Sequence, residues 1–449
     1  MTDDLEEVLA SVRDRIAPEE SERRRLREVT ARVIDRTKRA ATELPVEADV
    51  IQVGSTARDT WLRGERDIDV FVRFPPDLNR ESLERYGLSV GRSVLQDGHE
   101  EYAEHPYVSG EFEGFAVDLV PCYRVAAATE IRSAVDRTPF HTRYVEAALD
   151  DRLAGEVRLA KQFCSGIGVY GSNLRTRGFS GYLLELLVLE YDGFEPLLEA
   201  AADWHPPVRI DPEDHGTKTF DDPLIVIDPT DPARNVAAAL SERNFSRFQH
   251  HARALRSHPT TERFFPDEPA PLSEAALRDH LARRATTPVA IRFDPPAIVD
   301  DQLYPQLTKS IEGVSSALTQ GFSVIRAATF VEETAVLFIE VNAPTLPAIE
   351  RHVGPPVHVR EHAEGFYESY AEGAVYGPFI EGDRYVVERR REHTSVRGLL
   401  ESDALFDAAL GAHVENALEE GYEVLVGEEV TKLASEFGVE LARYFDPRP

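Results

Sequence analysis

An apolar strand that runs into a Gly-Ser turn, followed by a second strand carrying two acids, constrains this chain most. Val50-Ile51-Gln52-Val53 leads into Gly54-Ser55, and Asp67-Ile68-Asp69-Val70-Phe71-Val72 follows. Side chains at i and i+2 of a strand share a face, so Asp67 and Asp69 project together, roughly 6–7 Å apart. That spacing suits carboxylates sharing divalent metals, which sit about 3.5–4 Å apart in two-metal sites. A third acid is expected, and Asp118 in Phe115-Ala116-Val117-Asp118-Leu119-Val120-Pro121 supplies it. That run reads as a buried strand interrupted once, and an isolated buried carboxylate is costly unless it is paired or binds a metal.

The turn has its own task. Gly54 lets the backbone pass close to a ligand. The N–H groups of a helix expected over 55–62, with the Ser55 hydroxyl, offer an anion site. Arg58, one turn in, can reach the same phosphates. The combination suits a nucleoside triphosphate tail joined to the carboxylates through Mg²⁺. A solvated strand face, a helix cap and a surface arginine explain the pieces singly but not their conjunction.

The charge bears on what such a site can bind. The net charge is −30, from 80 acidic against 50 basic residues, and lysine is confined to Lys38, Lys161, Lys218, Lys309 and Lys432. A dispersed acidic surface poor in lysine looks like the proteins of salt-loving archaea. At molar salt the Debye length is about 3 Å, so long-range attraction to nucleic acid is lost as well as self-repulsion. An RNA substrate is still compatible, provided it is held by close contacts such as arginine forks on phosphate. No run approaches the ~18 apolar residues of a membrane span, and the acidic start lacks the pattern of a signal peptide. Cys122 and Cys164 alone do not make a disulfide scaffold and fit a reducing cytoplasm. The sequence leaves the oligomeric state open, a homodimer included.

Along the chain, residues 4–43 read as two helices broken near Pro18, with Leu26, Val29, Val33 and Ile34 as the inner stripe of the second. Strands are expected at 48–53, 67–74 and 115–123, and a helix at 80–94. Residues 141–205 read as helical, and Leu183 to Leu189 should form a buried helix. A strand at 224–227 precedes helices at 235–240 and 241–257. After a Pro-rich link at 259–271 come helix 273–285, strand 288–293, helix 303–319, strands 322–329 and 334–341, a hairpin at 377–390, and helices at 402–420 and 428–437. The pattern gives an α+β multidomain chain: a small α/β catalytic domain over 1–141, a mostly helical region over 142–260, and a further α/β region over 261–449.

These residues resemble a known family. Gly54-Ser55-Thr56-Ala57-Arg58-Asp59-Thr60-Trp61-Leu62, Asp67-Ile68-Asp69-Val70-Phe71 and Val117-Asp118-Leu119-Val120-Pro121-Cys122-Tyr123 are similar to the signature of archaeal (class I) CCA-adding tRNA nucleotidyltransferases. So are Ser133-Ala134-Val135-Asp136-Arg137-Thr138-Pro139-Phe140-His141, Arg177-Gly178-Phe179-Ser180-Gly181-Tyr182-Leu183, Asp231-Pro232-Ala233-Arg234-Asn235 and Asp300-Asp301-Gln302-Leu303-Tyr304-Pro305. The catalytic core alone is shared with poly(A) polymerases and other polymerase-β-like transferases; the later blocks narrow the match. Where the family often has Glu as its first carboxylate, this chain has Asp67.

The resemblance implies a polymerase-β-like nucleotidyltransferase head (1–141), a helical neck (142–260), and a body and tail (261–449) gripping the tRNA acceptor stem and elbow. It implies addition of C, C and A to the tRNA 3′ end from CTP and ATP, with no template. Asp67, Asp69 and Asp118 would hold two Mg²⁺ ions, and Ser55 and Arg58 would hold phosphates. His141, Lys161 and Tyr170 are carried over as nucleotide-binding positions. A structural histidine and a loop-anchoring tyrosine are the plainer readings of two of them; the scarcity of lysine favours Lys161. Arg234 resembles the arginine facing the incoming base, against the alternative of a surface residue at a helix start. Arg389-Arg390-Arg391 either touches the acceptor stem or is a solvated hairpin end. A poly(A)-type terminal transferase is the runner-up reading. A degenerate RNA-binding protein and an acidic scaffold are weaker.

Overall fold

The computed structural model describes residues 2–102, 104–319, 321–373 and 376–449, with side chains from residue 5 onward. The chain divides into two units, one reaching Asp267 and including Pro449, the other Glu268–Arg448.

Period-2 alternation decides the first sheet. Helices α1 (Thr2–Ile16) and α2 (Glu20–Thr42) part at Pro18, and a capping box between Glu19 and Glu22 starts the second. Then follow β1 (Asp49–Val53), the one-turn α3 (Gly54–Ala57), β2 (Asp67–Phe74), α4 (Arg80–Val94), β3 (His99–Tyr102), β4 (Pro106–Phe112) and β5 (Phe115–Tyr123). They form a five-stranded sheet in the order β1-β2-β5-β4-β3. Strands β2 and β5 run parallel, and every other pair is antiparallel. Ile68, Val70, Val72 and Phe74 pack with Leu26, Val29 and Val33 of α2 and Leu83 and Val90 of α4. Each such buried side chain contributes about 1.5–3 kcal/mol. The opposite face carries only a small apolar cluster of Val53, Phe71, Val120 and Cys122.

The rest of this unit is built on α5 (Thr138–Ala148), α6 (Asp151–Gly166), α7 (Gly181–Tyr191), α8 (Phe194–Ala202), β6 (Val208–Ile210), β7 (Leu224–Asp228), β8 (Asp231–Asn235) and α9 (Glu242–Ser257). Their core is aromatic: Phe163, Phe179, Phe194 and Phe248 are fully buried, and α1 contributes Leu5, Leu9 and Val12. Helix α7 is buried on nearly all sides, as its leucines predict, and Glu185 is buried with them.

Two expectations fail here. The helix over 55–62 stops at Ala57, because Asp59 is held at φ 55° and the chain turns toward the helices. The helix over 235–240 is instead the end of β8 and a turn. Asn235 Oδ1 accepts from Val226 N at 2.8 Å and Ala237 N at 2.9 Å, local competition that favours a turn. Strand β5 lies where the sequence places it, but β3 and β4, which lead into it through a hairpin, were not legible. The Glu113-Gly114 turn has φ of 52° and 84°, the left-handed pair of a tight hairpin without the usual Asn-Gly signal.

The second unit contains α10 (Glu274–Arg284), β9 (Thr287–Phe293), α11 (Asp300–Thr319), β10 (Val324–Val331), β11 (Ala335–Val341), β12 (Ile349–Pro356), α12 (Arg360–Tyr370), β13 (Tyr376–Glu381), β14 (Arg384–Arg390), α13 (Val396–Leu400), α14 (Ala412–Glu420), β15 (Tyr422–Val426) and α15 (Ala434–Phe445). Its larger sheet has the order β10-β11-β9-β15. Ala335, Leu337, Ile339 and Val341 face a core with Leu303 and Leu307 of α11, while Val336 and Phe338 face Leu277 of α10 and Leu441 of α15. A strand covered on both faces reads as an unbroken apolar run. The helix expected over 402–420 begins only at Ala412, where Gln306 Oε1 accepts from His413 N at 2.7 Å and Gly411 lies against Gln306 too closely for any side chain. Strand β15, absent from the sequence reading, fills residues 422–426 beside β9. The expected helix at 428–437 is a 3₁₀ stretch, Gly427–Leu433, leading into α15. A smaller sheet, β12-β14-β13, holds the expected hairpin with α12 packed on it; β12 and α12 were also missed.

Candidate active site

Alternation along β2 puts Asp67 and Asp69 on the face away from α2 and α4. Register does the rest: Asp69 lies directly opposite Asp118 on the parallel strand β5. Adjacent strands are about 4.8 Å apart. The three acids therefore share one face. The row continues through Ser109 of β4, opposite Asp118, to His99 of β3.

Gly54 completes the wall. It sits at φ 79°, and a Cβ there would overlap Asp69 Oδ2. Burial, reinforced by the charges of Asp118 and Asp67, pushes the Asp69 carboxyl up to about 6, with Arg58 pulling the other way. Burial raises Asp118 too; a Ser109 hydrogen bond opposes this and the charges of Glu101 and Asp67 add to it. Uncompensated carboxylates on one face are a hard-oxygen donor set that a divalent cation would relieve. Among the described residues no three acidic, histidine or cysteine groups close into a preformed cage. The face is set by the backbone, and the side chains are not drawn together.

Ser55 is the second residue of α3, after Gly54, and its carbonyl accepts from Thr60 N at 3.0 Å. With only one helical turn, the anion-binding donors reduce to the turn itself and the Ser55 hydroxyl. Arg58 is turned toward the helices. Its Nε donates to Glu185 Oε1 at 3.0 Å and its Nη1 to Thr142 Oγ1 at 3.1 Å. Thr60 Oγ1 donates to the same Glu185 oxygen at 2.7 Å, and Lys161 Nζ donates to Thr60 O at 2.8 Å. Lys161 is 1% exposed. Its ammonium anchors the 58–60 segment here rather than facing open solvent. Tyr170 joins this group: a Cβ on Gly181 would lie 3.3 Å from its hydroxyl and 3.4 Å from Lys161 Cε.

His141 and Arg234 meet on one carboxylate that the sequence reading passed over. His141 Nε2 and Arg234 Nη1 each lie 2.8 Å from Asp228 Oδ2. Thr230 donates to Oδ1 through its N–H at 2.9 Å and its hydroxyl at 2.8 Å. The His141 ring stacks on Tyr182 with centroids 4.0 Å apart. Arg234 stands on β8 rather than at a helix start. Burial alone would raise the Asp228 carboxyl, but the His141 contact and the Thr230 donors outweigh it and hold it well below the carboxylate range. Burial lowers His141 despite its bond to Asp228. Arg58 acts electrostatically on both Asp69 and His141, so the acid face and this pair adjoin.

Sequence reasoning thus missed Asp228, Glu185 and Tyr182. A signal for two of them existed. Glu185 in Leu184-Glu185-Leu186 and Asp228 ending Val226-Ile227-Asp228 are each an acid in an apolar run, the pattern that exposed Asp118. Among the arginines at 389–391, Arg389 Nε and Arg391 Nη1 both donate to Glu350, at 2.7 and 3.1 Å.

Residues 34–141 match the nucleotidyltransferase domain family, 155–265 the second domain of tRNA nucleotidyltransferases, and 284–427 the C-terminal domain of CCA-adding enzymes. The chain is 58% identical over 466 residues to the CCA-adding enzyme of Haloarcula marismortui, covering 100% of both chains. It is 58% identical over 462 residues to that of Halorubrum lacusprofundi, again covering 100% of both. With the CCA-adding enzyme of Methanosarcina mazei it shares 43% over 438 residues, 95% of each chain.

Proposed function

Because the chain belongs to the CCA-adding enzyme family, an enzyme of the tRNA nucleotidyltransferases, we propose that it adds C, C and A to the tRNA 3′ end from CTP and ATP. No template is needed, and each addition releases pyrophosphate. The observation that carries the chemistry is the register of Asp69 against Asp118, with Asp67 on the same face. These three would hold a pair of Mg²⁺ ions. The chemistry supplied when metal is bound is acidification of the attacking 3′-hydroxyl and neutralisation of the triphosphate and departing pyrophosphate.

The chain's own residues do the positioning on which in-line phosphoryl transfer depends. The Gly54 turn and the Ser55 hydroxyl face the phosphates. Arg58 and Lys161 lend positive charge from behind the turn and hold its shape through Glu185 and Thr60. Tyr170 packs beside them. His141 and Arg234 present the edge that meets the nucleotide. Arg234 offers donors to acceptors on C and A and leaves G and U poorly satisfied, and each unpaired buried group costs about 1–3 kcal/mol. Residues 1–141 serve as the catalytic head, 142–260 as the neck, and 261–449 as the body and tail that grip the acceptor stem and elbow. Among the described residues no helix is long and apolar enough to cross a membrane, and the working compartment in this reading is the cytoplasm.

The test is extension of tRNA lacking its CCA end, in molar KCl with Mg²⁺, with each nucleotide singly and with CTP and ATP together. Growth that stops after C, C and A supports the reading. A long A tail would show a poly(A)-type transferase instead.

A further inference from the structure

We propose that Asp228 is a positioning residue that sets both nucleotide-facing groups, fixing the ring of His141 and the guanidinium of Arg234 through one buried carboxylate. The inference rests on the reading above that His141 and Arg234 contact the nucleotide.

Asp228 ends β7 and is fully buried. Its Oδ2 accepts from His141 Nε2 and Arg234 Nη1. Its Oδ1 accepts from the Thr230 N–H and hydroxyl, and at 3.4 Å from the Tyr182 hydroxyl. An ionised carboxylate has about four lone-pair sites and can only accept. This one is therefore filled, and it does not turn toward substrate.

What it does is constrain others. Because the carboxylate only accepts, the His141 nitrogen facing it carries the proton. The other ring nitrogen, Nδ1, is then left as an acceptor in the neutral ring. Tyr182 stacks on that ring and donates to the same carboxylate, so plane and edge are both fixed. Arg234 spends one nitrogen on Asp228. Its planar fork then points the remaining donors in a set direction, and the side chain stays 35% exposed. His141 comes from α5 and Arg234 from β8, and among the described residues Asp228 is the side chain that binds both to one reference point. An amide at 228 would break this, because its NH₂ must face either a proton-bearing donor set or the Thr230 pair.

The test uses the full chain and single additions to a tRNA awaiting its first C. The preference for CTP over UTP, as a ratio of kcat/KM, is measured for Asp228→Asn, Arg234→Ala, the double variant and Thr230→Val. Asp228→Asn should lower the preference by about tenfold, the scale of one misdirected hydrogen bond to a charged group. The double variant should be no worse than Arg234→Ala alone. Thr230→Val should lower Tm and keep the preference. If Arg234→Ala keeps full preference, the nucleotide-facing reading fails and takes the proposal with it. If Arg234→Ala loses preference while Asp228→Asn keeps it, or the two losses multiply, or Thr230→Val loses as much as Asp228→Asn, the proposal alone is overturned. Should Asp228→Asn not fold, nitrogen NMR of His141 in the wild-type protein decides. Nε2 protonated and Nδ1 bare supports the assignment, and the opposite tautomer overturns it.

Discussion

Gly54 and Asp69 occupy one space: a Cβ on Gly54 would overlap Asp69 Oδ2, and the Gly54 backbone is held at φ 79°. The turn that would face the phosphates and the acid that would hold metal are thus a single construction. A side chain at 54 cannot be added without moving the carboxylate.

Gly54→Ala should therefore lose nearly all nucleotide incorporation. The left-handed conformation costs alanine about 1–2 kcal/mol, a modest loss of stability. Most of the damage falls on Asp69. Thermal unfolding and incorporation measured on the same preparation separate the two. A variant of ordinary activity would mean that the turn and the acid do not act together.

Asp69→Asn should trade activity for stability. The Asp69 carboxyl is raised from 3.8 to about 6 in the fold. A raised acid contributes stability fully present below its unfolded pKa and lost as pH rises through its folded one. In chelator-treated protein the asparagine variant should come close to wild type near pH 4 and exceed it by up to about 3 kcal/mol at pH 7.5. Incorporation should vanish. Adding Mg²⁺ should raise the Tm of wild type more than that of the variant.

Glu185 should behave as a structural anchor of the active-site turn. It is fully buried and takes donors from Arg58 and Thr60. Breaking one side of a buried pair costs about 3–5 kcal/mol, so Glu185→Ala should unfold at markedly lower denaturant. Glu185→Gln, which keeps an acceptor, should lose less. Both losses should persist in molar KCl, because salt screens buried pairs weakly. A loss that disappears in salt would contradict the placement.

In the second unit, Glu340 is buried on β11 and bound by Arg284 through two bonds of 2.7 Å each. Burial would raise its carboxyl, but Arg284 and the Thr286 hydroxyl outweigh that and hold it below its ordinary 4.5. A lowered acid contributes stability above its unfolded pKa and loses it as pH falls through the folded one. Glu340→Gln should be less stable than wild type at pH 7, with the gap closing as pH falls below about 4.5. Denaturant titrations across that range check it. A gap that widens in acid would reverse the assignment.

Much of the candidate catalytic face was legible from local pattern. Asp67-Ile68-Asp69 declares its two-residue period, and Asp118 stands out as one acid in an apolar strand. Helix α7, the 377–390 hairpin and the break at Pro18 were readable for the same reason: period, turn residues and proline act within a few residues. The failures at 55–62, 235–240 and 402–420 share a cause. In each, a distant or competing partner overrides helix propensity: the helices at Asp59, the Asn235 amide on β7, and Gln306 against Gly411.

The sequence alone settled that Asp67, Asp69 and Asp118 lie on apolar strands, while it passed over the buried Glu185 and Asp228. Only the tertiary structure decided their partners. The opposition of Asp69 to Asp118 depends on β5 lying beside β2, which no pattern within either strand encodes. Arg58 and Glu185 are 127 residues apart, and His141 and Asp228 are 87 apart. Periodicity reports which face a side chain takes. Which charge answers it there is fixed by long-range packing, because an ion buried by folding must find its counter-ion among whatever the fold brings near.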